Sequence, residues 1–449
     1  MNIIQIVSDT FRADFMGCYG CTWVQTPYLD RFAKRATLFE RAYICSFPTV
    51  PARYEFLTGM VAFPTFGWEP MPRDQVTLAE RLSDRGYRCM MIADTSNLFR
   101  RGFWYNKGFH GFEWIRGQEG DEWNTDFIEI DPGSPPEKLR SGWQHNIYQH
   151  RRNTAMRRYE RDCFVAQTMS TASDWLERNY KGDPFFLYVD TFDPHEPWDV
   201  PEWYVRRYER EPWPGPRLDY PKNGPMDGLY TEAELQHIRN LYAAEMTLVD
   251  KWVGRLLEKI EDLGLLENTM IVFTSDHGTQ QGEHGIMLKG WAMYDSVVHI
   301  PLLVYHPALK GGRRTRALVQ IPDVAATILE VSGTEGLEEL DGRSFWPILT
   351  GKARTHRRFA AYSPKLGVDM QRLYAGATDG DWSLLFYGDG RPVELYRLRT
   401  DPLQKENVAE EHPDIVRRLL DHFLTFTRTH RASEEVLTSL SGILTESAC

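Results

Sequence analysis

Cysteine is scarce in this chain: six residues among 449, at positions 18, 21, 45, 89, 163 and 449. Only Cys18-Tyr19-Gly20-Cys21 makes a close pair, and no second pair completes a zinc site of the usual spacing. A disulfide scaffold is excluded, and reduced thiols without function are expected. Long hydrophobic runs are missing too. No segment approaches a membrane span, and Met1-Asn2-Ile3-Ile4-Gln5-Ile6-Val7 has no basic region, extended apolar core or small-residue cleavage site. A cytoplasmic protein with no membrane partner is therefore expected. Positive charge is in deficit, 52 Lys and Arg against 63 Asp and Glu, for a net charge of −11. That balance argues against nucleic acid as a partner, and an anionic substrate would need a locally positive pocket. Repeats and low-complexity segments are absent.

What is present is an alternation of buried strands and helices, long enough for one large domain and a smaller one. Residues 2–8 read as a buried strand ending at Asp9-Thr10. Thr26-Pro27 opens a helix that buries Leu29, Phe32 and Ala33, and Phe39 to Ile44 reads as a short strand. A helix over Leu78–Arg85 stops at Gly86 and leads into a strand, Tyr87–Ala93. Residues 115–150 read as an irregular excursion, and helical periodicity returns from Arg152 to Asn179. The strand 184–190 precedes Thr191-Phe192-Asp193-Pro194-His195 and a flap rich in proline and aromatics over 197–230. Thr231 and Glu234 form a capping box for a long helix ended by Gly264. A strand over Met270–Thr274 ends at Ser275-Asp276-His277-Gly278, and a further unit follows over Ile300–Tyr305 and Asp323–Val331.

From about residue 357 short alternating strands take over, Tyr374–Ala377, Trp382–Tyr387 and Val393–Leu398. A helix from Pro413 to about Thr427 and a frayed polar tail complete the chain. The predicted fold class is α/β: a large mixed, mostly parallel sheet sandwiched by helices in 1–356. A small C-terminal antiparallel sheet packed by a helix occupies 357–449.

The run Thr49-Val50-Pro51-Ala52-Arg53 has the form of a helix start, with Pro51 suited to the first helical position. Thr49 then stands at a helix mouth that favours an anion, and Arg53, one turn deeper, can approach its hydroxyl. Asp9, Thr49, Asp276 and His277 all fall at strand ends or adjoining turns, where open α/β sheets bind ligands. Two carboxylates, an imidazole and a hydroxyl suit one divalent cation, Mn, Zn, Fe or Ca, with histidine favouring a transition metal. Such a cation lowers the hydroxyl pKa and polarises an ester oxygen.

In these segments the chain resembles the sulfatase branch of the alkaline phosphatase superfamily. The resemblance rests on Asn2–Gly20 (NIIQIVSDTFRADFMGCYG), Thr26-Pro27-Tyr28-Leu29-Asp30 and the Thr49–Gly59 block. Pro194-His195-Glu196-Pro197, Phe273–Lys289 (FTSDHGTQQGEHGIMLK), Asp341-Gly342-Arg343-Ser344 and Glu394–Pro402 (ELYRLRTDP) continue it. It implies Asp9, Asp276 and His277 as metal ligands and Thr49 at the position of the nucleophile that also bridges to the metal. Arg53 is implied as its support, Lys289 as the lysine on the transferred anion, and His195 as the histidine beside the leaving-group oxygen. Thr10 stands where many relatives have a further metal-binding aspartate, its hydroxyl a poorer ligand. Asp94, Ser96 and His284 are implied as substrate contacts.

The departures bear on the reaction. Typical sulfatases carry Cys or Ser at position 49, oxidised to formylglycine; threonine cannot form that aldehyde. Asp94-Thr95-Ser96 stands where sulfatases have Lys-x-His, so two cations are lost, as in phosphonate monoester hydrolases and phosphodiesterases of this branch. The expected activity is metal-dependent hydrolysis of a small anionic ester through a covalent Thr49 intermediate. Phosphodiesters or phosphonate monoesters come ahead of sulfate esters cleaved without formylglycine. A non-catalytic binding relative and homo-oligomerisation stay open.

Overall fold

The computed structural model describes residues 1–447 other than 141, 143 and 183. Cys449 lies outside them; the remaining five cysteines are free thiols. The main sheet has eight strands, ordered Arg313–Thr315, Thr37–Phe39, Leu302–Tyr305, Thr269–Ser275, Asn2–Ser8, Phe185–Thr191, Arg88–Ala93 and Gly111–Trp114. Leu302–Tyr305 alone is reversed, antiparallel to both neighbours; every other pairing is parallel. The sheet is thus mixed and mostly parallel, as predicted.

Burial explains the composition of the central strands. NIIQIVS and TMIVFTS are buried at every position, because helices cover both faces of the sheet. Alternate residues of the first strand divide between two cores: Ile3 and Val7 join Val50, Leu82 and Ile328, whereas Ile4 and Ile6 join Leu176, Ile238 and Leu248. The 31-residue helix Glu232–Asp262 starts at the Thr231–Glu234 capping box and is followed by Gly264 at φ 70°. No helix of the described residues is long and apolar enough to cross a membrane.

A second sheet has five strands, Glu394–Arg397, Trp382–Tyr387, Tyr374–Thr378, Ala360–Pro364 and Ser46–Phe47. Its last strand comes from the N-terminal part of the chain and pairs in parallel with Ala360–Pro364 immediately before Thr49. The expected frayed tail is instead a helix, Glu434–Ser447, because Leu440 and Leu444 pack with Phe423 and Phe426 of the helix Pro413–Thr429.

Three local expectations are corrected. The strand foreseen over 39–44 is split: Thr37–Phe39 joins the main sheet, and Ala42–Tyr43 pairs with Val319–Gln320. The helical run foreseen from Arg152 is two helices, Gln144–Thr154 and Phe164–Asn179. Between them the Asp162 carboxylate accepts the N–H groups of Arg158 and Tyr159, both at 2.9 Å, diverting the backbone from helix. Thr26 stands at the N-cap position with Pro27 after it, as expected, but its hydroxyl makes no capping bond: it accepts Gly17 N–H at 3.0 Å and donates to Asp30.

Candidate active site

Because the central strands are parallel, their C-terminal tips share one edge of the sheet. Asp9 follows the first strand, Asp94 the Arg88–Ala93 strand, Asp193 to His195 the Phe185–Thr191 strand, and Asp276-His277 the Thr269–Ser275 strand. Asp9, Asp276 and His277 are fully buried, each offering one ligand atom within 4.8 Å of the others. His277 donates its Nδ1–H to the Gly278 carbonyl at 2.8 Å, which leaves Nε2 as a lone pair. That Nε2, Asp9 Oδ1 and Thr10 Oγ1 are buried without any hydrogen-bond partner. Orphaned buried polar atoms are rare, and this oxygen-and-nitrogen set fits a divalent cation.

Electrostatics agree with that fit. Burial and the neighbouring Asp276 hold the Asp9 carboxyl well above the usual carboxylate range. Asp276, against the upward push of burial, is held below it by Arg53 and His277. Burial pushes His277 down to about 4, so the imidazole is neutral, as a ligand must be. Thr10 has φ 55°, a left-handed conformation costly for a β-branched residue. Two bonds hold it there: its N–H donates to Asp276 Oδ1 at 3.1 Å, and its carbonyl accepts Tyr242 O–H at 2.7 Å.

Thr49 is the first residue of a helix, Thr49–Thr58, with Pro48 as its cap. The helix starts two residues earlier than the sequence suggests, since Ala52 N–H already donates to the Pro48 carbonyl at 3.1 Å. Arg53 is completely buried. Its guanidinium does not turn back to the Thr49 hydroxyl; it is taken up by three carboxylates. Nη1 donates to Asp9 Oδ2 at 2.9 Å and to Asp276, while Nε and Nη2 make a bidentate pair with Asp190, both at 3.0 Å. A buried guanidinium demands such compensation. Asp190 is also held by the Thr95 hydroxyl at 2.5 Å and the Tyr188 hydroxyl at 3.0 Å.

Thr49, His195 and Lys289 line one cavity of about 500 Å³, together with Asn97, Arg100 and Arg140. Four cations, Arg100, Arg101, Arg140 and Lys289, line it against one carboxylate, Glu119. Lys289 Nζ is buried and has no hydrogen-bond partner. His195 stacks on Phe192 with ring centres 4.0 Å apart and donates Nδ1–H to the Glu196 carbonyl at 2.7 Å. Burial, with the charges of Lys289 and Arg140, pushes its pKa well below the ordinary value.

Residues 1–334 match the family described as Sulfatase. The chain belongs to the sulfatase family. Residues 282–428 of this family member also match the model described as N-sulphoglucosamine sulphohydrolase, C-terminal. Arylsulfatase K of Homo sapiens is 24% identical to it, over 92% of this chain and 80% of the relative. The phosphonate monoester hydrolase of Agrobacterium radiobacter superposes with a TM-score of 0.77 at 21% identity, covering 96% of both chains. BT4656 in complex with its substrate D-glucosamine-2-N,6-O-disulfate superposes at 0.74 and 21% identity, covering 97% of this chain and 99% of that one. The alkaline phosphatase and sulfatase fold expected above is thereby shown, and so is an ester hydrolase.

Three residues expected as substrate contacts, Asp94, Ser96 and His284, do not line this cavity of the sulfatase-family chain. Asp94 does not line the cavity: its carboxylate accepts Thr168 O–H at 2.6 Å, Thr191 O–H at 3.0 Å and Phe192 N–H at 2.5 Å. Burial and Asp193 push it up to about 8. Ser96 is buried and leaves the lining to its neighbour Asn97. His284 stacks on Tyr294, ring centres 3.6 Å apart, in a different cavity lined by Arg12 and Asp295. Sequence reasoning missed Asp190, Asn97, Arg100 and Arg140. The adjacent Arg100-Arg101 after a strand tip was a usable signal; Arg140 lay in the irregular excursion with none.

Proposed function

We propose that this chain hydrolyses phosphodiesters or phosphonate monoesters through a covalent intermediate on Thr49. One observation carries the reading: a threonine hydroxyl at a helix N-terminus lines the same cavity as an unpaired buried lysine and a neutral histidine. Behind it, Arg53 links Asp9 and Asp276. Asp9, Asp276 and His277, with Thr10 and Thr49 adjoining, would hold one divalent cation, which when bound supplies Lewis-acid charge to the nucleophile and the ester oxygens.

The chain's own groups do the rest. Lys289 and the open N–H groups of the helix start take the charge of the anionic centre. Thr49 Oγ forms the bond to phosphorus and releases its proton to solvent, while the bond to the leaving oxygen breaks and its electron pair departs with the alkoxide. His195, its Nδ1–H fixed on Glu196, presents Nε2 to the cavity. An incoming anion raises the basicity of that nitrogen, so it takes up a proton from solvent and passes it to the departing alkoxide. In the second half the same nitrogen takes the proton of the water that attacks phosphorus, the bond from phosphorus to Thr49 Oγ breaks with its electron pair on Oγ, and that oxygen takes the proton back to restore the hydroxyl. We place this chemistry in 1–356, with 357–449 as a smaller subdomain.

Phosphorus is favoured because a plain threonine ester must be cleaved by water at its central atom, which is harder to arrange at sulfur. The Asp94-Thr95-Ser96 turn adds no cation, in keeping with a singly charged ester. A sulfate ester is the second reading, supported by the relative named Arylsulfatase K. A panel of aryl phosphodiester, phosphonate monoester, phosphate and sulfate, with Mn, Zn or Ca added, separates them. Turnover of the sulfate far above the others would reverse the order of the two readings. With no turnover of any ester while metal is bound, the chain would be a binding relative.

A further inference from the structure

The cavity holds a second cation with no obvious role at the reacting centre. Arg100 is half-buried and donates Nη1–H to the Gly120 carbonyl at 2.6 Å and Nη2–H to Asn97 Oδ1 at 2.9 Å. Both acceptors are neutral, and among the described residues no carboxylate pairs with it. Two of a guanidinium's five donors are thus used. The neighbouring cations are compensated: Arg140 lies 2.6 Å from Glu196 and 3.3 Å from Glu119, and Arg101 lies 3.2 Å from Glu122. Glu119 is the one carboxylate in the cavity lining and is taken up by Arg140, so in a chain with net charge −11 an arginine left there without a carboxylate of its own is conspicuous.

Its surroundings are built to receive a polar group. Asn146 Oδ1 and Arg140 Nε are buried without a partner, and both residues line the same cavity. Gly120 makes the room: a Cβ there would stand 2.3 Å from Asn146 Oδ1 and 3.1 Å from Arg100 Nη1. Trp68, 47% exposed, adds an aromatic face to the lining. Lys289 is among the charges acting on Asp9, His195 and His277. Arg100 is instead anchored to Asn97 and the Gly120 carbonyl.

We infer that Arg100, held in place by Asn97, forms a leaving-group subsite for a second anionic group, carried on a ring that lies against Trp68. The inference rests on the ester-hydrolase reading above, in that it names the leaving-group class of that site. An anion here completes the arginine's fork and gains a charge-assisted, directional contact that a neutral group cannot match.

The test compares 3- and 4-carboxyphenyl esters with the matching carboxamidophenyl esters, in whichever acid series the enzyme turns over. The amide is the better leaving group, so a faster carboxylate cannot come from intrinsic reactivity. At least about a tenfold excess in kcat/KM for one carboxylate isomer is expected, carried mainly by KM. In Arg100→Gln the ratio falls to about one, and Arg100→Lys keeps part of it. A wild-type ratio at or below one for both isomers overturns the subsite, as does a ratio unchanged in Arg100→Gln. Calorimetric binding of the same esters to the Thr49→Ala protein with metal reads the subsite apart from the chemistry. Equal affinities there overturn it even if an ester is hydrolysed, and a preference survives there even if none is.

Discussion

Arg53 and Asp190 face each other in a two-bond fork, Nε to Oδ2 and Nη2 to Oδ1, both at 3.0 Å and fully buried. This pair aims the remaining nitrogen, Nη1, at Asp9 and Asp276. Asp190 is thus a positioning residue: it touches neither Thr49 nor the cavity, yet decides where the guanidinium points.

Removing one acceptor oxygen tests that role. In Asp190→Asn the fork becomes a single bond and the guanidinium can tilt about its Nη1 contacts, a misplacement that costs on the order of 10²-fold in kcat. KM for the ester is expected to change little, because Lys289 and the helix start are untouched. Metal content, measured on the purified variant, should stay near that of the wild type. A tenfold rise in KM at unchanged kcat would show that Asp190 shapes the pocket instead.

Thr49→Ala should lose at least about 10³-fold in kcat, since no group replaces the nucleophile, whereas Thr49→Ser should keep activity on the same esters. Thr49→Cys is the more telling change. It restores the residue type that sulfatases oxidise, so in a host able to make formylglycine the aldehyde should be found at position 49 by mass spectrometry. Sulfate ester turnover should then rise relative to phosphonate. Modified protein with an unchanged substrate order would show that the pocket, and not the nucleophile, selects the acid.

The strand tips were legible because buried parallel strands are written as continuous apolar runs, and a polar cluster such as Asp276-His277-Gly278 ends each one abruptly. The fork between Arg53 and Asp190 was not: its members are 137 positions apart and belong to no motif. Asp94 and His284 show the opposite failure. Both stand at positions the family resemblance marks for substrate, but position does not give side-chain direction. Asp94 turns back to brace the tips of two strands, and His284, at φ 55°, turns onto Tyr294. The C-terminal helix was missed because its few apolar residues face Phe423 and Phe426, partners that only the fold brings near.

Metal binding should be readable without any assay of activity. A ligand that binds only the folded state at 100 times its Kd adds about 2.7 kcal/mol of stability. Mn, Zn or Ca should therefore raise the Tm of chelator-treated protein, and chelator should reverse the rise. His277→Ala removes the unpaired Nε2 and should abolish most of that shift while leaving the metal-free Tm close to its starting value. An equal shift in wild type and His277→Ala would place the cation elsewhere.

Glu55 sits on the inner face of the Thr49 helix, and its carboxylate accepts the Ala62 N–H at 3.1 Å, the Ser46 N–H at 3.2 Å and the Ser46 hydroxyl. Burial pushes it from 4.5 up to about 7 in spite of these bonds. A carboxyl with a raised folded-state pKa contributes stability that is fully present below the unfolded value and is lost as pH rises through the folded one. From pH 4.5 to about 7 the wild type should lose on the order of 3 kcal/mol through this group alone, at about 1.4 kcal/mol per unit. Glu55→Gln cannot ionise and escapes that loss, at the expense of the Ser46 N–H acceptor. Its stability relative to wild type, from denaturant melts at pH 5 and pH 8, should therefore improve as pH rises. A difference that stays constant across that window would mean that Glu55 is already ionised in the folded protein at pH 5.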